Sequence, residues 1–380
     1  MFTTQFNTFH RFATHLYAPG GVAHTWAVAV AKRALVAGLG CLLACAAAAQ
    51  SESAAVGTSR TAELPIADVH FHYMTFMTPQ ELLARMDKNQ VHWVISAGAQ
   101  GIRGEAGNPA SGTSPWIRDL ALKDVLKDRF VAAVGGAETF VGERRDGPAF
   151  YTDPRNPWAI AAIERMDSLL KLERRSFVEM FPNAENSSME PMRRRRLPTD
   201  APFFKEALRL AARHDVPLPM HMEWHPESVA QLSALLTEFP QANVVLSHCG
   251  KITTAADIRP FFEKHPNVYC DLGFRSTPQG ETEGRRDPRR IIFWSSALLR
   301  KADIKPDWLQ LVEDFPDRFM LAIDDVGSWD QYDQVVTATR EAVLAKLSPA
   351  TAEKVAYRNA LRLFRLPELP AVVSAPPTPQ

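Results

Sequence analysis

Eight short apolar runs recur along the chain, each followed by a stretch with helical periodicity, and this alternation restricts the fold more than any other feature. The runs cover residues 66–72, 91–97, 130–134, 176–180, 217–223, 243–248, 268–272 and 318–325. Helices are expected at 79–89, 116–128, 156–172, 202–214, 226–239, 255–265 and 308–315, with terminal helices at 332–347 and 352–364. A crossover helix returns the chain to the same edge of a sheet, so strands joined this way run parallel. Eight of them fit a (β/α)8 TIM barrel in a single domain spanning 64–366. A doubly wound open sheet is the alternative, but no Gly-rich phosphate-binding turn follows the first strand to support it.

The polar residues fall where a barrel would use them. The first run ends in Asp68-x-His70-x-His72, the fourth reaches Glu179, and the fifth carries His221 and Glu223. The sixth ends at His248, the seventh at Asp271 and the eighth at Asp324-Asp325. In a parallel barrel these exits share one face, so residues far apart in sequence converge there. On a strand, residues i and i+2 point the same way, and His70 with His72 offers two imidazoles to one ion. Taken alone, such a pair reads equally well as chance histidines near a turn, and His221 alone reads as a satisfied core histidine. Recurrence at six strand ends argues against solvated loop starts. Asp324 closes the apolar run Phe319-Met320-Leu321-Ala322-Ile323, where a carboxylate needs a cation or several donors to stay ionised. His248 reads as a ligand or as a proton donor to substrate, with Gly250 letting backbone approach closely.

The order of these residues resembles the amidohydrolase superfamily: D-x-H-x-H on strand one, His on strand five, Ser-His-x-Gly on strand six, and Asp on strand eight. It is closest to the amidohydrolase-related branch, which includes decarboxylases of the aminocarboxymuconate-semialdehyde type. The closing Asn359-Ala360-Leu361-Arg362-Leu363-Phe364 is similar to that branch's ending, and the resemblance covers roughly residues 65–364. It implies a divalent metal, zinc before others, held by His70, His72, His221 and Asp324, with His248 assisting the chemistry or binding a second ion. Two departures stand out. Ala322-Ile323 replaces a Gly-Ser/Thr pair before Asp324, so Asp325 competes for its role, and Glu179 stands where binuclear relatives carry a metal-bridging lysine. The latter favours one metal over two. Glu179 is expected as a surface carboxylate or one behind the ligands, with a bridging or direct ligand as the alternative, and Asp68 as the group that orients a ligand histidine, with metal contact as its alternative.

The leading expectation is an exported hydrolase acting on an amide, ester or lactone of a small substrate, with a carboxylate on it left open, though the residues do not choose between hydrolysis and decarboxylation. A decarboxylase or other lyase is the alternative, and a barrel that binds without catalysis is the third reading. Arg275 is the candidate clamp for a substrate carboxylate, while Arg193–Arg196 reads as a solvated face. The loops 100–115, 181–200 and 274–290 are long enough to act as lids. His214, His225 and His265 read as structural or solvated.

Forty-three basic residues balance forty-three acidic ones, so no global field recruits nucleic acid or an anionic membrane. Residues 1–49 read as a signal peptide: Lys32-Arg33, an apolar run over 34–49 too short to span a bilayer, and Ala47-Ala48-Ala49 as cleavage pattern. The stretch before Lys32 is long, which suggests a start downstream at Val28 or Val30. A periplasmic or secreted protein with no integral membrane span after processing follows; the alternative is a lipoprotein anchored at Cys45 through Leu42-Leu43-Ala44-Cys45. Residues 50–63 read as a flexible leader and 367–380 as a Pro-rich disordered tail. In the body Cys249 and Cys270 are expected as small buried apolar residues, a bridge being allowed but not implied. A homo-oligomer is left open.

Overall fold

The computed structural model describes residues 64–74, 76–98, 115–173, 175–185, 194–250, 253–273, 293–295, 302–324 and 326–369. The expected signal peptide and leader, Arg275, Asp325, the loop 274–290 and the tail beyond 369 lie outside these residues, as does nearly all of the loop 100–115.

Proline sets many of the helix starts. Among the described helices, α1 (Pro79–Asn89), α2 (Pro115–Leu126), α4 (Pro157–Leu172), α5 (Pro202–His214), α6 (Pro226–Glu238) and α8 (Pro306–Asp314) all begin on one. Proline costs nothing there, because the first N–H has no intrahelical acceptor and the fixed φ already suits a helix. Side chains finish the job at several starts. The Thr78 hydroxyl accepts from Glu81 N at 3.2 Å, and Asn156 Oδ1 accepts from Trp158 and Ala159 N at 3.0 Å each. At α7 (Ala255–Lys264), Thr254 and Asp257 cap each other's backbone reciprocally. Each such cap stabilises by about 1 kcal/mol.

Strand pairing closes a ring. β1 (Ile66–His72) pairs with β2 (Val91–Gly98), and β2 pairs with the first half of β3 through Val94↔Phe130 and Ile95↔Val131. β3 consists of Phe130–Val131 and Ala133–Val134, and its second half pairs with the start of β4 through Ala133↔Ser176. β4, in the pieces Ser176–Phe177 and Met180–Asn183, leads on to β5 (Leu218–Met222), β6 (Val244–Leu246), β7 (Val268–Asp271) and β8, which starts as Phe319–Met320. β8 returns to β1 through parallel bridges Asp68↔Leu321 and Phe71↔Asp324. All eight strands run parallel, so the architecture is the expected (β/α)8 barrel. An antiparallel pair, Phe293–Ser295 with Ala302–Ile304, lies in the connection between β7 and β8.

Every residue of β1 is buried, as parallel strands covered on both faces require. The outer face packs apolar residues such as Phe71, alongside the buried Trp308, Tyr332 and Phe319, under the helices. Asp68, His70 and His72 alternate with them and cannot be left without partners.

Several expectations need correcting. β4 is not one run over 176–180. Val178 N donates to Val134 O, but Glu179 N donates to Ala97 O on β2, skipping β3, before Met180 rejoins the ladder with β5. Two helical segments were also missed, α3 (Gly136–Asp146) and Ala149–Thr152. They lie in a glycine-rich, charged stretch whose apolar residues are sparse. α3 owes its seat to Gly142, where a Cβ would collide with the buried Phe150 ring at 2.1 Å. The arginine run is not wholly a solvated face either: Arg195 pairs with the buried Glu143 and lies over the Tyr151 ring at 5.2 Å. Finally, Cys249 and Cys270 are not free thiols but a disulfide joining the exit of β6 to β7, with Cα atoms 4.6 Å apart. The two strands are neighbours, a proximity that sequence spacing alone does not reveal.

Candidate metal centre

Four imidazoles and three carboxylates meet at the C-terminal ends of the strands. His70 and His72 come from β1, Glu179 from the break in β4, His221 from β5, His248 from the turn after β6, Asp271 from the end of β7 and Asp324 from the exit of β8. His248 and Asp324 both adopt left-handed backbone, with φ of 55° and 67°. Non-glycine residues pay about 1–2 kcal/mol for that conformation, and such strain gathers at functional sites.

The centre of the arrangement is a contact that hydrogen bonding between neutral rings does not explain. His70 Nδ1 faces Asp271 Oδ2 at 3.0 Å, and His72 Nδ1 faces the Gly98 carbonyl at 2.9 Å. Both partners only accept, so each Nδ1 carries a proton, and in the neutral rings each Nε2 would present a lone pair. Those two Nε2 atoms lie 2.9 Å apart. Two lone pairs at that distance call for a positive centre, either a proton shared between the rings or a metal ion. Around them stand Glu179 Oε2, 3.4 Å from His70 Nε2 and 3.7 Å from His72 Nε2, and Asp324 Oδ1, at 3.8 and 3.4 Å from the same atoms. Imidazole nitrogen and carboxylate oxygen are the donors that zinc-like ions take.

Glu179 joins two pairs of histidines. While Oε2 faces His70 and His72, Oε1 accepts from His221 Nδ1 at 3.0 Å and lies 3.5 Å from His248 Nε2. Burial pushes a carboxyl up, yet the charges of His70 and His221 and the hydrogen bonds from His221 and His248 hold Glu179 well below the usual range. His70 shows the reciprocal effect. Burial disfavours its cation, but Glu179 and Asp271 raise its pKa well above the ordinary 6.5. Asp271 and Asp324 are likewise opposed by burial and held low by the histidines around them. The site is therefore a buried cluster of carboxylates and imidazoles that hold one another's charge.

The expected residues fare differently. His70, His72 and Asp324 have donor atoms within 4.8 Å of one another, as do His70, Glu179 and His248; the two groups share His70, and neither includes His221. His221 instead lies against Glu179 and stacks on Phe181, ring centres 4.9 Å apart. Glu179 is no surface carboxylate but a buried hub. Asp68 does not orient an imidazole: its Oδ1 accepts from the backbone N–H groups of His70 and Ile323, at 3.1 and 2.9 Å, and so fastens β1 to β8. The orienting role belongs to Asp271. Its position at a strand exit was visible in the sequence, but its pairing with a residue 201 positions away was not. His214 pairs with Asp167 and His265 with Ser233. His225 contacts Glu223 and Arg196 near the exits of β4 and β5.

The family profile described as "Amidohydrolase" matches residues 186–366, a span that runs from the exit of β4 to the closing helix and contains His221, His248, Asp271 and Asp324. No curated protein matches the sequence. Among solved structures, the chain is similar to 2,6-dihydroxybenzoate decarboxylase from Rhizobium, at 16% identity over 80% of this chain and 99% of that one, with a TM-score of 0.46. It is also similar to an amidohydrolase from Burkholderia multivorans, at 15% identity over 80% and 99% with TM-score 0.43. A TIM-barrel protein from Bordetella bronchiseptica gives 14% over 80% and 99% with TM-score 0.48. Members of the matched family depend on metal and act on small molecules, and no helix among the described residues is long and apolar enough to cross a membrane. Over residues 186–366, a little under half of its length, the chain is similar to the amidohydrolase family.

Proposed function

We propose that the chain is a metal-dependent hydrolase that opens an amide, ester or lactone bond of a small molecule at the barrel mouth. The observation that carries this reading is the 2.9 Å approach of His70 Nε2 to His72 Nε2, ringed by Glu179 and Asp324. His70, His72 and Asp324 are the residues that would hold the ion, with Glu179 beside them and His221 braced against Glu179. One divalent ion, zinc before others, is the reading that the buried Glu179 in place of a bridging lysine supports. Such an ion lowers the pKa of water from about 15.7 toward neutrality and polarises a carbonyl.

The protein's own groups divide the remaining work. The Asp324 side chain is 14% exposed, whereas those of His70, His72 and Glu179 are 1–2% exposed, so Asp324 is the carboxylate that meets incoming water. It accepts the proton of the attacking water and delivers it to the leaving group. His248, with Nδ1 3.6 Å from Asp324 Oδ2, stabilises charge on the substrate oxygen or donates a proton there. Glu179, walled in by imidazoles, keeps them oriented. The carboxylate on the substrate and the role of Arg275 in clamping it belong to the same proposal.

Export to an oxidising compartment is part of it too. The leader pattern of residues 1–49 and the Cys249–Cys270 bridge both support that address, because disulfides persist chiefly outside the cytosol.

Elemental analysis of protein purified without chelator is the first test, with about one divalent ion per chain expected. Protein that is folded and metal-free after such a preparation would remove the reading. With metal present, a panel of esters, lactones and amides run beside a carbon dioxide assay completes it. Carbon dioxide release without bond hydrolysis would reassign the enzyme as a decarboxylase using the same groups.

A further inference from the structure

The Cys249–Cys270 bridge lies one peptide bond from two groups of the centre, and the turn it closes is strained. In the ladder Leu246 lies opposite Cys270, so Cys249 must fold back over the end of β6 to reach it. The chain does this through three successive left-handed residues, His248 and Cys249 at φ 55° and Gly250 at 68°. Only the last is glycine. The other two are held in a conformation that an isolated peptide leaves, so something must over-determine it.

Three restraints do so. Gly250 N donates to Ser247 O at 3.0 Å, His248 N donates to Asp271 Oδ1 at 2.9 Å, and the disulfide ties Cys249 to the residue before Asp271. Each hydrogen bond is gained against one to water and so holds only weakly, which leaves the covalent link as the firm one. Both cysteines are wholly buried. Packing around the turn is close, since a Cβ on Gly273 would meet Asp271 Oδ1 at 2.8 Å and His248 Nδ1 at 3.2 Å. Asp271 in turn fixes the tautomer of His70. The link thus sets His248 directly and His70 through Asp271.

We infer that the Cys249–Cys270 disulfide is a positioning element of the centre, and that its reduction to two thiols loosens the hold of His70 and His248 on a divalent ion. This rests on the proposed metal centre. The balanced step is attack of a phosphine or a dithiol on the sulfur–sulfur bond, giving two protein thiols and the phosphine oxide (with water supplying the oxygen and both protons) or the cyclic disulfide of the dithiol.

The test uses the mature chain, oxidised and metal-free, with the bridge located by peptide mapping without reductant. A trialkylphosphine opens it anaerobically and is then removed; air reoxidation provides the reversal, and a Cys249→Ala/Cys270→Ala variant provides the permanent form. Zinc affinity, measured by competition with a chromophoric chelator well below the melting temperature, is expected to fall about 10–100-fold on reduction and in the variant, and to recover on reoxidation. The visible spectrum of the cobalt-loaded forms is expected to change in step. A reduced protein that keeps its zinc affinity and cobalt spectrum overturns the inference, even if it melts earlier, because a merely structural bridge would move only the melting temperature. If the oxidised wild type binds no metal, the metal reading is what fails, and the imidazole resonances of the metal-free protein then decide this one: those of His70 and His248 shift on reduction, or the positioning role is wrong. Should the variant not fold, the reduction and reoxidation cycle of the wild type gives the same answers.

Discussion

Glu179 sits among four imidazoles at the strand ends, whereas Asp68, two residues before His70 on β1, has among the described residues only backbone N–H groups as hydrogen-bond partners. Both carboxyls are buried, and burial alone would raise both. The histidines reverse this at Glu179 and hold it well below the usual range, while at Asp68 two backbone hydrogen bonds do not suffice and the pKa rises to about 7. Asp68 Oδ2 has no hydrogen-bond partner among the described residues, a situation that a neutral carboxyl tolerates better than a charged one. The same group is thus kept ionised at the mouth and pushed toward neutrality two residues deeper. Charge is tolerated in this barrel where other charges answer it, and the mouth is where they do.

Breaking the answered charge should have the largest effect. In Glu179→Gln the four histidines lose their common counter-charge, and removing one partner of a buried ion pair costs about 3–5 kcal/mol. Metal-free protein at pH 6 should melt well below the wild type, and zinc affinity should fall more than tenfold. The linkage has a definite sign. Glu179 has a folded-state pKa below its ordinary 4.5, so its contribution is fully present above that value and lost as pH falls through the folded one. The variant should therefore converge on the wild type in acid. Equal melting curves for the two proteins at pH 6 would show that Glu179 is not the electrostatic hub.

The two carboxylates were unequally legible in the sequence. The alternation of apolar runs announced the barrel, because parallel strands need crossover helices, and D-x-H-x-H announced its first site strand. Glu179 was visible as a strand-end carboxylate but not as the hub, since its place depends on β4 leaving β3 to bond with β2, which no local pattern encodes. Asp271 was undervalued for a similar reason. A carboxylate that orients a histidine shows itself only by its partner, and that partner is on a strand at the other end of the chain. Asp68, being adjacent to the motif, attracted the role instead.

Asp271→Asn tests that exchange of roles. The amide oxygen can still accept from His248 N and Gly273 N, as the carboxylate Oδ1 does at 2.9 Å each. Its NH2 group then faces His70 Nδ1, where the carboxylate had accepted. Two donors cannot share that contact, so the His70 proton moves to Nε2 and the lone pair facing His72 is lost. Zinc affinity should drop about 10–100-fold, in the range typical of groups behind metal ligands, with far less change in the melting temperature of the metal-free protein than in Glu179→Gln. Unchanged zinc binding would return the orienting role to some other group.

Asp68→Asn should have the smallest effect on metal and the most distinctive effect on pH dependence. Asparagine keeps an oxygen for the N–H groups of His70 and Ile323, so β1 stays fastened to β8 and zinc affinity should change less than about threefold, under 1 kcal/mol. An acid whose folded-state pKa is raised from 3.8 to about 7 binds its proton more tightly when folded. Its contribution is fully present below pH 3.8 and is lost as pH rises through about 7, because over that window the unfolded state has released a proton that the folded state retains. Wild-type metal-free protein should accordingly lose stability between about pH 4 and pH 7 relative to Asp68→Asn, which cannot titrate there. Tyr332, buried with its hydroxyl unpaired among the described residues and its pKa raised well above the ordinary value by burial and by the Asp68 charge, offers that charge no compensation. Thermal melts of both chelated proteins across this range measure the difference directly. Parallel curves would mean that Asp68 stays ionised throughout, and the contrast with Glu179 would collapse into two carboxylates held alike.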